Sequence, residues 1–459
     1  MCNFVLVKGE QMYLKREKFL IVGISKSGIS ATEFLLKKGA KCYVYDDYLT
    51  DTVEKEIQRL CSLGAVKIVK EEVFDAIKEM SVVVLSPGVP IDHEIPLKAK
   101  KLGKRIIGEM ELAYAFSKSP FIAVTGTNGK TTTCTMIDAI LKEGGLKCEL
   151  CGNIGTPVSK IVDKIDEETV IVAETSSFQL ETVSSFTPHV AVITNVTPDH
   201  LSRHYNMENY LFIKSKILLN LRESEYAVLC YDDPLVVKLA EKTRAKVLYF
   251  SVKTRVNGAY VEDGKICFKG KYVCDVSALP FSGEHNLLNF LASLCVAKIM
   301  GVADDIAVNS AKSFKGVKHR IQFITTVDGV DYYNDSKATN VDATVKAIDA
   351  MTKPTVLILG GKDKGLDFSE LFEKIKKSDV KGVVLTGESR FRMFESARKV
   401  GYEKVSVVED FYLSIDFASL IAENGDCVLF SPACSSYDKF TDFEQRGDCF
   451  IKYLEKTVE

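Results

Sequence analysis

A short loop that combines glycine, lysine and hydroxyl side chains follows the apolar run 121–124 and precedes a predicted helix; residues 125–132 read T-G-T-N-G-K-T-T. Backbone N–H groups in such a turn and the positive end of the helix dipole form a site for polyphosphate. Lys130 adds charge for the outer phosphates, and the hydroxyl of Thr131 can ligate Mg²⁺. The residues expected to bind the phosphates are Gly126, Thr127, Asn128, Gly129, Lys130, Thr131 and Thr132.

This loop departs from the general P-loop pattern, which requires a glycine at the position of Val124. The compact form T-G-T-N-G-K-T is narrower and more specific than the general pattern. The alternative is an ordinary junction between a strand and a helix. A β-prone run before the loop and a helix that continues to about Lys142 supply the context that the motif needs, and they favour a phosphate site.

Two further side chains follow the ends of predicted buried strands. Glu174 comes after the apolar run 169–173, and His200 follows the run 190–194. The carboxyl ends of parallel strands share one edge of a sheet, so we expect both side chains beside the phosphate loop. A carboxylate and an imidazole near phosphates suit a divalent cation that neutralises charge during phosphoryl transfer. The alternatives are an N-cap for Glu174 and a surface turn for His200.

Composition restricts the class of protein. The chain has 459 residues, 46% of them apolar, which is enough for about three domains. A net charge of −2 argues against a general nucleic-acid-binding protein. No apolar run reaches the ~18 residues of a membrane span, and no signal peptide is apparent. Thirteen scattered cysteines favour reduced thiols in a cytoplasmic protein, and the single C-x-x-C, Cys148 and Cys151, lacks a second pair at zinc spacing.

The N-terminal region has the layout of a nucleotide-binding half-domain. A strand predicted at 19–22 leads through a glycine turn into a helix, and a second strand at 41–45 ends at Asp46. The dinucleotide fingerprint is incomplete, because Ser25 occupies the position of the second glycine. A later strand ends in the rigid turn Ser86-Pro87-Gly88, at the edge where α/β sheets bind ligands.

The remaining chain alternates apolar strands with helices, which indicates parallel sheets covered on both faces. An Asp263-Gly264 turn and an Asp328-Gly329 turn each predict a hairpin. Arg320 and Asp335 belong to the last region and are candidates to close on the nucleotide, although a surface ion pair is the alternative for Arg320. We predict an α/β fold of three domains, residues 1–108, 109–316 and 317–459.

The motifs of this chain resemble those of the Mur ligase family, in the order of that family and over nearly the whole chain from about Phe19. They are T-G-T-N-G-K-T, G-N-I-G, E-T-S-S-F-Q-L, N-V-T-P-D-H, H-R, N-D-S-K-A-T-N and S-P-A-C-S-S-Y-D-K-F. The resemblance implies an N-terminal Rossmann-like domain for a UDP-sugar, a central P-loop ATPase-type domain and a C-terminal Rossmann-like domain. More narrowly, it implies an ATP-dependent ligase that adds D-glutamate to UDP-N-acetylmuramoyl-L-alanine through an acyl phosphate, in peptidoglycan precursor synthesis.

The resemblance also implies roles for individual residues. Magnesium, as one or two ions, would be held by Thr131, Glu174, His200 and Lys214, the last as a carbamate. Lys214 closes a Tyr-x-x-x-Lys segment that starts at Tyr210. From the residues alone Lys214 is a helix surface lysine, and Lys216 is a competing candidate for the modification. Catalytic roles are expected for Lys130, His200 and Lys214.

The other implied contacts are spread over all three domains. The nucleotide would be contacted by Asn289, His319, Arg320 and Asp335. D-glutamate would be bound by Lys337, Thr339, Lys364, Ser436, Tyr437 and Phe443. The UDP-sugar would be bound by Asp46, Ser86, Pro87, Gly88 and Asn153. Two departures from the family pattern are Ser25, in the glycine turn, and Ser202, where many relatives have an aspartate.

Two other functions are compatible with these patterns. One is another ligase of the same family, including a folylpolyglutamate synthase, which would add a different amino acid. The other is a nucleotide-sensing module without turnover. The motif at 431–440 and the loop at 361–365 favour the D-glutamate reaction. We expect a cytoplasmic monomer with no nucleic-acid partner.

Overall fold

The computed structural model of the chain describes residues 14, 17–281, 283–314, 316–363, 365 and 367–458. The described residues form three sheets in two compact units. The first unit comprises Met1–Pro280 and Asn286–Ser313 and contains two of the sheets. The second unit comprises Phe281–His285 and Phe314–Glu459 and contains the third sheet. The predicted three-domain α/β fold with mostly parallel sheets is confirmed.

The first sheet has five parallel strands in the order β3-β2-β1-β4-β5. These strands are β1 Lys18–Val22, β2 Lys41–Tyr45, β3 Val66–Lys67, β4 Val82–Leu85 and β5 Arg105–Gly108. The helices are α1 Lys26–Lys37, α2 Asp51–Ser62, α3 Val73–Glu79, α4 Glu94–Lys101 and α5 Glu109–Phe116. Phe19 and Ile21 of β1 pack in one apolar cluster, whereas Leu20 and Val22 pack in another. Burial on both faces explains why β1 is a continuous apolar run.

The second sheet has nine strands in the order β14-β13-β12-β11-β10-β9-β6-β8-β7. They are β6 Phe121–Thr125, β7 Cys148–Gly152, β8 Val170–Glu174, β9 Val190–Ile193, β10 Tyr226–Cys230, β11 Lys246–Ser251, β12 Gly258–Glu262, β13 Lys265–Phe268 and β14 Lys271–Asp275. The strands β6 to β12 are parallel, and β13 and β14 add an antiparallel edge. The hairpin predicted at Asp263-Gly264 is confirmed between β12 and β13.

Eight α-helices accompany the second sheet in the described part of the chain. They are α6 Lys130–Glu143, α7 Val158–Ile161, α8 Ser177–Leu180, α9 Leu201–His204, α10 Met207–Ser215, α11 Pro234–Val237, α12 Glu284–Ile299 and α13 Asp304–Ser313. Three short helices, α8, α9 and α10, follow β8 and β9 and carry much of the candidate site. Helix α6 begins at Lys130, as the phosphate-loop motif requires.

The third sheet has six strands in the order β15-β16-β20-β17-β18-β19. They are β15 Gln322–Val327, β16 Val330–Asn334, β17 Thr355–Gly360, β18 Val380–Thr386, β19 Val405–Val407 and β20 Cys427–Phe430. Its helices are α14 Val341–Ala350, α15 Ser369–Lys376, α16 Arg390–Val400, α17 Phe411–Ile421 and α18 Phe443–Val458. Only β15 and β16 pair antiparallel in this sheet as described, which confirms the hairpin predicted at Asp328-Gly329.

Two expectations about the whole chain concern membranes and thiols. Among the described helices, none is both long and apolar enough to cross a membrane. The twelve described cysteines are all free, and Cys148 and Cys151 lie buried in β7. Neither of these two belongs to a potential metal-binding group among the described residues. The C-x-x-C spacing therefore lies within a strand, where residues three apart face opposite sides of the sheet.

The close approach of α1 to the glycine turn before it yields a stability prediction. We expect Gly28→Ala to lower the free energy of unfolding by about 1–3 kcal/mol, although alanine favours helices over glycine. A Cβ at Gly28 would lie 2.0 Å from the carbonyl oxygen of Gly23, a backbone atom that cannot rotate away. Urea denaturation followed by circular dichroism measures the change. Gly88→Ala is the matched control, because a Cβ there meets nothing within 4 Å; equal losses would contradict the prediction.

Candidate active site

The loop after β6 requires its two glycines for steric reasons. Gly126 and Gly129 have φ angles of 145° and 85°. A Cβ on Gly126 would lie 1.9 Å from Oγ1 of Thr194, and a Cβ on Gly129 would lie 2.4 Å from Oδ1 of Asn289. Gly129 is also the N-cap of α6 and has no side chain to cap the first N–H groups of this helix. A phosphate oxygen can therefore serve as their acceptor.

Two polar residues that follow β9 form hydrogen bonds with the backbone of the same loop. The side chain of Asn195 accepts a hydrogen bond from the N–H of Asn128 (2.9 Å) and donates one to the carbonyl oxygen of Asn128 (3.0 Å). Thr194 donates its hydroxyl to this carbonyl oxygen at 2.6 Å. The N–H of Thr127 donates to the carbonyl oxygen of Asn195 at 2.9 Å. Asn195 was not among the predicted site residues, and its position directly after a buried strand is the signal that could have identified it.

Two lysine side chains converge on the carbonyl oxygen of Gly126. Nζ of Lys130 donates to this oxygen at 3.0 Å and to the carbonyl oxygen of Thr127 at 2.8 Å. Nζ of Lys214 donates to the Gly126 oxygen at 2.7 Å. Lys130 at the start of α6 and Lys214 in α10 thus bond the same carbonyl group of the phosphate loop.

The environment of Lys214 differs from that of an ordinary surface lysine. Its side chain is 1% exposed, and Nζ lies 4.5 Å from the ring centroid of Tyr210. Burial, and secondly the charge of Lys130, hold the pKa of Lys214 well below its usual value. A neutral amine is therefore favoured at this position. Lys216 instead donates from Nζ to the carbonyl oxygen of Glu181 at 2.6 Å, so Lys214 is the candidate that reaches the loop.

Glu174, Thr131 and Asn153 come together beside the loop. Glu174 is the last residue of β8 and is 2% exposed. Its Oε2 accepts the hydroxyl of Thr131 at 2.5 Å, and its Oε1 accepts the amide of Asn153 at 3.0 Å. The N-cap alternative for Glu174 is wrong, since Ser176 caps α8. A buried carboxylate oxygen next to a hydroxyl oxygen provides the hard ligands that Mg²⁺ prefers, so these residues fit a magnesium ion.

His200 lies directly before α9, in the left-handed region with φ of 54°. Its ring packs on Phe178 with centroids 4.8 Å apart, and its Nε2 lies 3.5 Å from Oδ2 of Asp199. Phe178 belongs to α8, which starts three residues after Glu174. The contact between Phe178 and His200 therefore brings the start of α9 against α8, close to the end of β8 where Glu174 lies. Ser202, the departure from the family pattern, lies within α9 and is exposed.

The glycine turn of the first sheet is closed by side chains predicted to bind the UDP-sugar. Oδ2 of Asp46 accepts the N–H of Ile24 at 2.7 Å. The hydroxyl of Ser86 donates to the carbonyl oxygen of Gly23 at 2.6 Å, and the hydroxyl of Ser25 donates to Oγ of Ser86 at 3.2 Å. Ser25 thus replaces the missing glycine with a polar link between the two turns. The departure at this position is accommodated by the fold.

In the second unit, Asp335 is fully buried after β16. Its Oδ1 accepts the N–H of Ile321 at 3.2 Å, and its Oδ2 accepts the hydroxyl of Ser431 at 2.7 Å. Burial raises the pKa of Asp335 to about 6, although the charge of Arg320 opposes the shift. His319 is 2% exposed with φ of 63°, and burial lowers its pKa. Three of the predicted nucleotide-binding residues therefore form one neighbourhood around the end of β16.

The predicted D-glutamate residues follow β16 and β20. Nζ of Lys337 lies 4.7 Å from the ring centroid of Phe443, at the start of α18. Ser436 is buried in the loop after β20, whereas Tyr437 is 69% exposed. Thr339 is half-buried in the loop before α14. Lys364 lies outside the described residues.

Arg446 is a site residue that the sequence reasoning missed. It lies in α18 and is 2% exposed. Its Nε donates to Oγ of Ser336 at 3.0 Å, and its Nη2 donates to the carbonyl oxygens of Ser336 (2.8 Å) and Cys434 (3.0 Å). It joins the loops that carry Lys337 and Ser436. The detectable signal is its place on the apolar face of α18 with Phe443 and Phe450, at helical spacing.

Three family models match successive parts of the chain. The model described as the Mur ligase MurD-like N-terminal domain matches residues 17–108. The Mur ligase middle domain matches residues 124–297, and the Mur ligase glutamate ligase domain matches residues 319–434. The order of the models is that of the three sheets.

Relatives align over nearly the full chain. A UDP-N-acetylmuramoylalanine–D-glutamate ligase of Thermoanaerobacter sp. (strain X514) is 42% identical over 448 residues, which cover 96% of this chain and 98% of the relative. A ligase of the same name from Clostridioides difficile (strain 630) is 41% identical over 449 residues, with the same two coverages.

Solved structures share the fold at lower sequence identity. MurF from Acinetobacter baumannii superposes with a TM-score of 0.62 at 17% identity, over 95% of this chain and 93% of that one. MurF from Thermotoga maritima, in complex with ADP, gives a TM-score of 0.60 at 19% identity, over 97% and 100%. These structures share the fold, and the near full-length relatives together with the three matching models show that the chain belongs to the Mur ligase family of ATP-dependent ligases.

Proposed function

We propose that the protein joins D-glutamate to UDP-N-acetylmuramoyl-L-alanine with cleavage of ATP to ADP and phosphate, in peptidoglycan precursor synthesis. The observation that carries this proposal is the buried Thr131–Glu174 pair beside a phosphate loop lined by Lys130 and Lys214. Relatives named for this reaction, at 38–42% identity, support the choice of substrates. We expect the reaction in the cytoplasm, the compartment that supplies ATP, and a monomeric enzyme.

The chemistry of amide formation explains why ATP is needed. A carboxylate is a poor electrophile, because its negative charge repels an incoming amine. Transfer of the γ-phosphoryl group to the alanyl carboxylate of the acceptor gives an acyl phosphate with a good leaving group. The amine of D-glutamate then attacks the acyl carbon, and the tetrahedral intermediate collapses to the amide and inorganic phosphate. Water must be excluded, because it would hydrolyse the acyl phosphate.

The residues around the loop have distinct roles in this scheme. The N–H groups at the start of α6 and the ammonium of Lys130 bind the outer phosphates and stabilise charge on the transferring phosphoryl group. Magnesium, when bound by Thr131, Glu174, His200 and the carbamate of Lys214, supplies further charge neutralisation. Asn153 fixes one oxygen of Glu174 and leaves the other to face Thr131.

The proposed carbamate of Lys214 follows from its surroundings. A neutral amine can attack CO₂, and loss of one proton then gives a carbamate anion, whereas an ammonium cannot react. Burial and the neighbouring charge of Lys130 favour the neutral amine. The product carries two oxygens, so Lys214 would change from a neutral donor into an anionic ligand.

The second unit would supply the amino acid site and further nucleotide contacts. Lys337, next to the ring of Phe443, is a suitable partner for a carboxylate of D-glutamate. Lys364 would pair with the side-chain carboxylate, and Thr339, Ser436 and Tyr437 would complete the pocket. His319, Arg320 and Asp335 would contact the nucleotide. Asn289 of α12, whose side chain lies beside Gly129 of the phosphate loop, would also contact the nucleotide.

Phosphate release tests the reaction and its phosphate site together. We expect release that requires ATP, magnesium, UDP-N-acetylmuramoyl-L-alanine and D-glutamate, and that falls at least about 100-fold in Lys130→Ala, because the transferring charge loses a fixed cation. Lys142→Ala is the matched control, since Lys142 lies in the same helix and pairs with Asp138. Release that prefers another amino acid would replace the proposal with a different ligase. Tight ATP binding without release would indicate a nucleotide-sensing module.

A comparison of Lys214→Arg with Lys216→Arg tests the carbamate. Arginine stays cationic and forms no carbamate, so we expect the first variant to lose at least about 100-fold in activity. The second variant is expected to stay near wild type. A carbamate carbon signal in ¹³C NMR after incubation with ¹³C-bicarbonate should be present in the wild type and in Lys216→Arg. The same signal in Lys214→Arg would contradict the assignment.

The raised pKa of Asp335, about 6 against an ordinary 3.8, predicts a pH dependence of stability. The folded state binds this proton more tightly than the unfolded state does. Its contribution to the free energy of unfolding is therefore complete below pH 3.8 and is lost as the pH rises through 6. Relative to Asp335→Asn, the wild type should lose about 2.4 kcal/mol in its free energy of unfolding between pH 4 and pH 7. Urea unfolding at several pH values measures the difference.

Asp331→Asn is the matched control for this pH series. The carboxylate of Asp331 bonds Nζ of Lys353 at 2.6 Å, and this bond holds the pKa of Asp331 below its usual value. Relative to this variant, the free energy of unfolding of the wild type should not decline over the same pH range. A pH-independent difference between the wild type and Asp335→Asn would show that the proton of Asp335 does not contribute.

A further inference from the structure

Arg203 lies in α9, three residues after His200, and its guanidinium contacts the backbone of a turn in the first sheet. Nη2 donates to the carbonyl oxygens of Val89 (2.9 Å) and Pro87 (3.4 Å), and Nη1 donates to that of Gly88 (3.3 Å). One side chain thus bonds three successive carbonyl groups, more than 110 residues away in the chain. The turn Pro87–Val89 includes two of the residues predicted to bind the UDP-sugar.

The guanidinium is itself held in place by Glu181. Nε of Arg203 donates to Oε1 at 3.0 Å, and Nη2 donates to Oε2 at 2.5 Å. The side chain of Glu181 is 4% exposed and that of Arg203 is 14% exposed, so this two-point ion pair is largely shielded from water. A shielded bidentate pair fixes the plane of the guanidinium and hence the direction of its remaining N–H groups.

The same guanidinium also connects to His200. It lies 5.0 Å from the ring centroid of Phe178, and that ring packs on His200 at 4.8 Å. A second contact links the same two segments. The hydroxyl of Tyr205 donates to the carboxylate of Asp92, which lies three residues after Val89. Arg203 of α9 and Tyr205, the C-cap of α9, therefore bond the segment around the Pro87–Val89 turn. Arg203 also packs on Phe178, the ring that contacts His200.

We infer that Arg203 is a positioning residue: it holds the Pro87–Val89 turn in the conformation that binds the UDP part of the acceptor substrate. This inference rests on the proposed function, which supplies the acceptor. The carbonyl oxygens of the turn are directed towards Arg203, and the N–H of Val89 donates to the carbonyl oxygen of Ser86 at 2.9 Å, so the turn is closed by its own backbone and held from outside by α9. Without the guanidinium, three carbonyl groups lose their common donor and the turn loses its fixed shape.

The chemistry requires arginine at this position. Five N–H donors in a rigid plane serve Glu181 on one side and the turn on the other. A lysine at 203 has a single ammonium, which would serve Glu181 or one carbonyl group but not the whole turn. Arg203→Lys is therefore expected to have an intermediate effect between wild type and Arg203→Ala.

Isothermal titration calorimetry without turnover tests this inference, with UDP-N-acetylmuramoyl-L-alanine and UDP as separate ligands. We expect the dissociation constant of both to rise about tenfold or more in Arg203→Ala, and by less in Arg203→Lys. The dissociation constant of ATP should stay within about twofold, because the phosphate loop does not contact the turn through Arg203. In turnover, the KM for the acceptor should rise while the KM for ATP does not. Arg59→Ala, which removes an ion-paired arginine of α2, is the control.

The binding results separate a failure of the role inferred for Arg203 from a failure of the proposed function. Unchanged affinity for UDP and for the acceptor in both variants would overturn the inference and leave the proposed function intact. A parallel loss of ATP affinity would also overturn it, because Arg203 would then act on the ATP site as well, through Phe178 and His200 or through general folding. Binding of UDP but not of the acceptor by wild type would overturn the proposed function, and the UDP series would still decide the role of Arg203. Binding of neither ligand by wild type would overturn both.

Discussion

The carbonyl oxygen of Gly126 determines how the active site can work, because two lysine amines bond to it. Nζ of Lys130 and Nζ of Lys214 lie 3.0 and 2.7 Å from this oxygen. Two ammonium groups so close together repel each other, and the buried one is the more costly to keep charged. Burial, and secondly the charge of Lys130, hold the pKa of Lys214 well below its usual value. The two amines that share this oxygen therefore differ in their environment.

The strand order of the second sheet brings these groups together. Strand β6 lies between β8 and β9, and Glu174 pairs in register with Val124, two residues before Gly126. Gly152 pairs with Glu174 from the other side, which places Asn153 next to the carboxylate. Asn153 and Thr131, which are 21 and 43 positions from Glu174 in the chain, thus reach it at one edge because parallel strands end there. The short helices after β8 and β9 then carry His200 and Lys214.

The sequence predicted those parts of the site that have a local signature. Glycines with a lysine and threonine at a strand–helix junction identify the loop, and Glu174 follows from the end of an apolar run. Lys214 and Lys216 could not be separated, because residues two apart in a helix face different directions and only tertiary packing decides which one is buried. Asn195 and Arg446 bond backbone groups 67 and 110 residues away, for which no local pattern exists. The role of Lys364 stays a prediction.

A common physical problem connects these long-range contacts. A loop that directs N–H groups towards an anionic ligand must turn some carbonyl groups away from it, and no sheet ladder satisfies them there. Two lysines donate hydrogen bonds to the carbonyl group of Gly126, and Arg446 donates to those of Ser336 and Cys434. Arg203 donates to the carbonyl groups of the turn Pro87–Val89 in the same way. Because a basic side chain satisfies several carbonyl groups at once, it can fix a ligand-binding loop without occupying the face that the ligand needs.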